Sequence, residues 1–112
     1  MINCMSSKED QVKALSSEVR MEILRLLKNP LEHFAHQQSA GPSEFGVCMQ
    51  LIAAKLEVSQ PTISRHLELL KRADFIIVRR FQKWSYCSRN EIALSNYLDW
   101  LRKNLEINAL AE

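Results

Sequence analysis

The spacing of apolar residues changes twice in the second half of the chain, and this constrains the fold more than any other feature. From residue 59 to about 73 the spacing is helical, with Ile63 and Leu67 on one face. Residues 74–90 alternate as strands do and are rich in β-branched and aromatic side chains. Helical spacing then resumes over 91–105. This order predicts a helix, a two-stranded ribbon and a further helix.

The first half of the chain predicts three more helices. Apolar spacing indicates helices over residues 9–15 and 46–56, and between them a longer helix that Asn29-Pro30 ends. Residues 30–45 have no period and contain a glycine–proline pair, which predicts a surface loop with room for a short helical turn. The segments together predict a mainly α (α+β) fold of about five helices with a two-stranded β-ribbon.

The composition is that of an ordinary globular domain, with 46% apolar and 25% charged residues. We therefore expect one domain over residues 1–112. No stretch approaches the ~18–20 apolar residues of a membrane span. Residues 1–11 lack the apolar core of a secretory leader, so we expect a cytoplasmic protein without membrane contact. No phosphate loop, Ser/His/Asp order or paired-carboxylate cleft is visible, so we do not expect an enzyme.

Charge is unevenly distributed along the chain. The formal net charge is only +2, but residues 55–90 hold eight bases and three acids, a local net charge of +5. A basic block within a nearly neutral protein is typical of a surface that faces a polyanion. A solvated charged face has the same composition, so charge alone does not decide between the two.

Two helices joined by a short break and followed by a basic ribbon are the parts of a winged helix-turn-helix. The second helix of such a motif fits the major groove of DNA with its N-terminal residues nearest the bases, and the ribbon reaches the backbone or the minor groove. The residues that we expect to contact DNA are Ser59, Gln60, Thr62, Ser64, Arg65, Lys71 and Arg72 in the helix and Arg79, Arg80 and Lys83 in the ribbon.

The same residues resemble a known family. Residues 51–91, above all SQPTISRHL at 59–67, are similar to the DNA-binding core of the ArsR/SmtB family of bacterial repressors, and the helical organisation is similar from about residue 10 to 105. The resemblance implies a homodimeric transcriptional repressor that binds a double-stranded DNA operator and leaves it on sensing a metal, an oxidant or a small molecule. It implies a DNA-facing His66, although the helical wheel puts this residue on the flank, where a packed, hydrogen-bonded histidine is the alternative.

The family often has glycine at two turns where this chain has Glu57 and Asp74. If the left-handed backbone conformation persists there, it costs most at Glu57, about 1 kcal/mol.

The resemblance leaves the sensing site open. Many family members bind thiophilic metals through a Cys-x-Cys pair, of which this chain has only the first position, Cys48. His33 and His36 are weak candidates for a zinc site with Cys48, and surface histidines and a buried cysteine are the alternative. Redox sensing has three weak candidates, Cys4, Cys48 and Cys87. The basic ribbon favours a thiolate at Cys87 unless the strand buries it. No cofactor is assigned, and a thiophilic metal or zinc stays open.

The terminal helices carry more apolar side chains than one small core needs. Pairing them in a homodimer covers those side chains and sets two DNA-reading helices about one DNA turn, ~34 Å, apart. The residues that we expect in this interface are Val12, Leu15, Tyr97, Leu98, Leu101 and Leu105. Two alternatives stay open: the stripes pack on their own core, or the winged helix is a protein-contact module without specific DNA binding.

Overall fold

The computed structural model describes residues 7–37 and 41–108. In this part of the chain we find seven helices and three strands. The helices are α1 (Lys8–Leu15), α2 (Glu18–Lys28), α3 (Pro30–Phe34), α4 (Pro42–Phe45), α5 (Met49–Leu56), α6 (Gln60–Arg72) and α7 (Glu91–Asn104). The strands are β1 (Val47–Cys48), β2 (Ile76–Phe81) and β3 (Trp84–Arg89). The predicted mainly α fold with a ribbon is confirmed, with two short helices and one short strand added.

Polar side chains at the helix starts set where the main helices begin. The Ser59 hydroxyl accepts a hydrogen bond from the backbone N–H of Thr62 at 3.3 Å, and Asn90 Oδ1 accepts one from Ala93 N–H at 3.2 Å. Each bond satisfies an N–H that has no partner inside the helix. Proline follows Ser59 by two residues, in the first turn of α6, where its missing N–H costs nothing.

The ends of α5 and α6 use left-handed residues other than glycine. Glu57 has φ 57° and Asp74 has φ 66°. Beyond each of them the chain turns back: Val58 N–H donates to Ala53 O at 3.0 Å, and Phe75 N–H donates to Leu70 O at 3.0 Å. These are the backbone bonds of the Schellman motif, in which a glycine usually occupies the left-handed position. The left-handed conformation therefore persists although the glycines are missing.

The sheet has the order β1-β3-β2, and both strand pairs are antiparallel. The predicted two-stranded ribbon is β2 and β3, which turn at Gln82 and Lys83. The prediction of a helix from residue 46 is wrong at its start, because Val47 and Cys48 form β1 and pair with Cys87 and Tyr86. Two residues are too few to show a strand period.

The prediction that residues 30–45 form a surface loop is wrong in part. They contain α3 and α4, and the Phe34 ring of α3 is fully buried. Beyond α3 the Gln37 side chain reaches the outer edge of β1, where its amide donates to Gly46 O at 3.0 Å and its oxygen accepts from Cys48 N–H at 2.7 Å. The side chain of Gln37 thus satisfies backbone groups that a further strand would otherwise pair.

The core lies between α2, α5, α6 and the sheet. Its fully buried side chains include Ile23, Ile52, Ile63, Leu70 and Phe75. This packing fixes α6 against the body of the domain by its apolar face and leaves the opposite face open. Among the described residues no helix has the length and apolar character needed to cross a membrane.

Candidate nucleic-acid interface

The outward face of α6 is polar along its whole length. Ile63, Leu67 and Leu70 anchor the opposite face in the core. The predicted contact residues of this helix are exposed, with the exception of the half-buried His66. The exposed ones are Ser59, Gln60, Thr62, Ser64, Arg65, Lys71 and Arg72. Ser59 and Thr62 also serve the helix start, because the Ser59 hydroxyl donates to Thr62 Oγ1 at 2.9 Å.

A groove runs between α6 and the ribbon. It has a volume of about 340 Å³, and its polar lining consists of Ser64, Glu68 and Lys71 from the helix and Arg80 and Ser85 from the ribbon. The structure thus brings together predicted contact residues that lie up to sixteen positions apart in the sequence. Ser85 was missed by sequence reasoning, because a serine between Trp84 and Tyr86 looks like an ordinary outward strand position.

The cations of this surface have few acidic partners. Arg72 lies 3.6 Å from the Glu68 carboxylate, one helical turn away. Among the residues that the structure describes, no carboxylate lies within 4 Å of Arg65, Lys71 or Arg80. Exposed and largely unpaired cations on two adjacent elements produce a positive potential suited to a phosphate backbone.

The ribbon carries its cations at and near its tip. Arg79, Arg80 and Lys83 are all exposed, as expected. The Lys83 ammonium lies 5.5 Å from the centre of the Trp84 ring, and the Arg79 guanidinium lies 5.7 Å from the centre of the Phe45 ring. Arg79 also donates to the backbone oxygen of Glu44 at 3.4 Å. Arg79 is therefore tied to α4, whereas Arg80 faces the groove.

Three aromatic rings hold the ribbon against α4. The Phe45 ring meets the Tyr86 ring edge-on at 4.8 Å and the Phe81 ring edge-on at 5.5 Å between centres. Edge-to-face pairs at such distances are favourable beyond the area that they bury. The segment 30–45, whose role in DNA binding the sequence left open, thus supports the half of the ribbon next to its tip.

His66 is tied to a buried arginine that sequence reasoning missed. Arg20 Nη1 of α2 lies 3.0 Å from His66 Nδ1, and only 9% of the Arg20 side chain is exposed. Burial, and then the Arg20 charge, lower the pKa of His66. Burial and nearby Arg65 likewise lower the pKa of Arg20. A signal was present, because Arg20 precedes Ile23 and Leu27 by three and seven positions and so shares their core-facing side.

Of the two alternatives for Cys87, the structure supports a buried thiol rather than an exposed thiolate. Only 1% of Cys87 is exposed, and burial, with a smaller contribution from Cys48, raises its pKa to about 12. Cys48 is also buried and pairs with Tyr86 rather than with Cys87, so the two cysteines are not cross-strand partners. Cys4 lies outside the described residues.

The other two candidate metal ligands lie at the end of α3 and just beyond it. His33 is half-buried and its ring meets that of Phe34, while His36 is exposed. Within residues 7–37 and 41–108, no three His, Cys, Asp or Glu side chains come together as a metal site.

The predicted interface side chains divide into three groups by their exposure. Val12, Leu98 and Leu105 are about half exposed or more, at 49%, 51% and 60%, and Leu15 and Leu101 are half-buried. Tyr97 is different, because its ring packs edge-on against Phe75 at 5.5 Å and belongs to the core of its own chain. Nearby, the Lys8 ammonium lies 5.5 Å from the centre of the Trp100 ring, so α1 and α7 are neighbours.

Comparisons with known proteins agree with this geometry. Residues 48–78 match the family model described as bacterial regulatory protein, arsR family. Over 93 residues the chain is 39% identical to the uncharacterized HTH-type transcriptional regulator YbzH of Bacillus subtilis (strain 168), covering 83% of this chain and 93% of the relative. Over 89 residues it is 33% identical to the transcriptional repressor SdpR of the same organism, covering 80% and 82%.

Solved structures share the fold. A crystal structure of an ArsR family transcriptional regulator superposes with a TM-score of 0.68 at 15% identity, covering 90% of this chain and 96% of the other. A possible transcriptional regulator for arsenical resistance superposes with a TM-score of 0.65 at 22% identity, covering 90% and 88%.

Proposed function

The chain belongs to the ArsR family of bacterial regulatory proteins and is a DNA-binding transcriptional regulator, and we propose that it acts in the cytoplasm as a homodimeric repressor on an operator. The observation that carries the proposal is the groove between α6 and the ribbon, whose rim unites Ser64, Lys71 and Arg80. Family membership favours this reading over a protein-contact module.

In the proposed complex α6 enters the major groove of the operator. Gln60, Thr62 and Ser64, in its first turns, offer hydrogen-bonding groups to base edges, and Arg65 adds a guanidinium on the same exposed side. Lys71 and Arg72 lie two turns further along and meet phosphates. The ribbon, with Arg80 and Lys83, meets the backbone or the minor groove beside the same half-site. Base contacts thus come from one end of α6 and positioning contacts from the rest of the surface.

The homodimer is proposed to form through α1 and α7. Both helices leave apolar side chains uncovered, with Val12 on α1 and Leu98 on α7, and Leu105 directly follows α7. The Lys8 ammonium lies 5.5 Å from the centre of the Trp100 ring, so the two helices approach each other at this point. Burial of such side chains at a twofold axis is favourable by the hydrophobic effect and presents two copies of α6 to successive turns of DNA.

We further propose that the protein represses transcription while it occupies the operator and that an inducer releases it. The relative SdpR is named a transcriptional repressor, which supports this direction of regulation. The burial of Cys48 and Cys87 favours structural roles for both, so they are poor candidates for the sensor.

The test is an anisotropy titration of labelled DNA from upstream of the protein's own gene, with a scrambled duplex of equal length as the control. We expect at least a hundredfold preference for the upstream duplex, and a steep loss of affinity with added salt because several phosphates are neutralised. Arg65→Ala should weaken binding, whereas Arg25→Ala, on the exposed side of α2, should not. Equal and weak binding to both duplexes would contradict the proposal.

A further inference from the structure

Arg20 is a buried cation without a carboxylate partner among the described residues. Its side chain is 9% exposed, and no ion pair in this part of the chain includes it. Buried charges in proteins are normally paired, because removing an ion from water is costly. Other groups must therefore stabilise the Arg20 guanidinium.

The end of α1 supplies part of this stabilisation. Arg20 Nε donates to Ala14 O at 2.7 Å, and Nη2 donates to Lys13 O at 3.0 Å. Both oxygens belong to the last turn of α1, where the helix dipole is negative, and Lys13 O also accepts from the Ser16 N–H at 3.1 Å and from the Ser16 hydroxyl at 2.8 Å. Arg20 thus caps α1 from α2. Its third donor, Nη1, points to His66 on α6.

The contact between Arg20 Nη1 and His66 Nδ1 determines which nitrogen of the His66 ring carries the proton. A guanidinium can only donate, so Nδ1 must accept, and a neutral imidazole that accepts at Nδ1 carries its proton at Nε2. A doubly protonated ring would point an N–H at the guanidinium. Within the described residues Nε2 has no hydrogen-bond partner, and the ring is only half-buried.

We propose that Arg20 is a positioning residue for DNA binding, which holds His66 as a neutral ring whose Nε2–H donates to a phosphate oxygen of the DNA. This inference rests on the proposed function. His66 lies in the second turn of α6, on its flank rather than at its tip, and Arg65 and Arg20 add positive charge beside it. A phosphate fits that setting better than a base edge, since bases meet the N-terminal residues of a reading helix.

The first measurement is the tautomer itself. Long-range ¹H–¹⁵N correlation spectra of the folded protein at neutral pH report which ring nitrogen of His66 is protonated. We expect an unprotonated Nδ1 and a protonated Nε2 in the wild type, and loss of this single tautomer in Arg20→Met. A wild-type spectrum with Nδ1 protonated would overturn the proposal without any use of DNA.

The second measurement is a double-mutant cycle on DNA affinity. His66→Leu should weaken binding about tenfold, and Arg20→Met by a similar factor. The double variant should be no weaker than either single variant, because Arg20 acts through His66. His66→Gln, which can offer an N–H near the position of Nε2, should retain most of the affinity. The matched control is Arg25→Met on the exposed side of α2, which should bind as the wild type does.

Further readouts separate the possible failures. The losses should be equal on cognate and scrambled duplexes, because a phosphate carries no sequence information. A loss confined to the cognate duplex, or losses that multiply in the double variant, would overturn the proposal. Absence of any cognate preference in the wild type would instead contradict the proposed function, while the tautomer still tests the contact between Arg20 and His66. If Arg20→Met does not fold, the affinities of the His66 variants still test the phosphate contact, and the wild-type spectrum still tests the tautomer that contact with Arg20 requires.

Discussion

At the scale of single residues, the turns around α6 depend on side chains in a conformation that favours glycine. Glu57 precedes the helix with φ 57°, and Asp74 follows it with φ 66°. The tip of the ribbon repeats the pattern at Gln82, also with φ 57°. A left-handed conformation costs an ordinary L residue about 1 kcal/mol or more, and asparagine and aspartate tolerate it best. Of the two turns that flank α6, the one at Glu57 therefore carries the strain that is more open to relief.

Glu57→Gly should stabilise the fold. The change removes the clash of a Cβ in the left-handed region, which exceeds the entropy that glycine loses on folding, so the free energy of unfolding should rise by about 1 kcal/mol. Urea unfolding measures the change. Glu57→Ala is the matched control, since it removes the same charge but keeps the Cβ. A control variant as stable as Glu57→Gly would show that the charge, not the backbone, is responsible.

The buried thiol of Cys87 makes stability depend on pH in the alkaline range. Its pKa is raised from 9.0 to about 12 in the folded protein, so the unfolded chain loses this proton first as the pH rises. The contribution to stability is complete below about pH 9 and is lost as the pH rises towards 12, by about 1 kcal/mol at pH 10. The stability difference between the wild type and Cys87→Ala, measured by urea unfolding under reducing conditions, should shrink by this amount from pH 7 to pH 10. A difference that is constant with pH would contradict the assignment.

At the scale of elements, the sequence predicts those helices and strands that are long enough to show a hydrophobic period. The helix at 60–72 and the ribbon at 76–89 show clear periods, and the structure confirms both. Strand β1 has two residues and α4 has four, too short for any period to emerge. Alternation also fails as a guide to burial in β3, where Tyr86 and Cys87 are both buried. β3 is the central strand, covered on both faces, and its partner β1 could not be foreseen.

Exposed polar positions were easier to predict than the contacts that support them. An exposed polar position on an amphipathic helix can be read from the sequence, as Gln60 and Arg65 show. The supports depend on contacts between distant segments, such as Arg20 with His66 or Phe45 with Tyr86. No local pattern encodes such contacts, because each partner is typical of many other environments.

Phe45→Ala should loosen the ribbon. The change removes the ring that packs on Tyr86 and Phe81 and lies beneath Arg79, so we expect a loss of about 2 kcal/mol in the free energy of unfolding. DNA affinity should fall about threefold to tenfold on cognate and scrambled duplexes alike, because ribbon contacts to phosphate carry no sequence information. Anisotropy titrations measure this effect. Leu31→Ala, at an exposed position of α3, is the control, and an unchanged affinity in Phe45→Ala would contradict a supporting role for α4.

At the scale of the whole molecule, the cations of the groove and the exposed apolar side chains of α1 and α7 lie on different elements, although Ile77 and Phe81 of the ribbon are also about half exposed. The cations are concentrated on α6 and the ribbon, while the exposed apolar side chains of the terminal helices include Val12 and Leu98. One surface thus suits DNA and the other suits a second copy of the chain. The two properties are linked in the proposed dimer, because the pairing of α1 and α7 sets the spacing of the two reading helices.

Hydroxyl-radical footprinting of the protein on its upstream DNA tests most directly whether a dimer reads two half-sites. We expect two protected stretches on one face of the duplex with centres about ten base pairs apart, and a single shorter stretch for Leu98→Lys, which should weaken the dimer. Protection of one isolated site by the wild type, or uniform weak protection along the duplex, would contradict a dimer that reads two half-sites with α6.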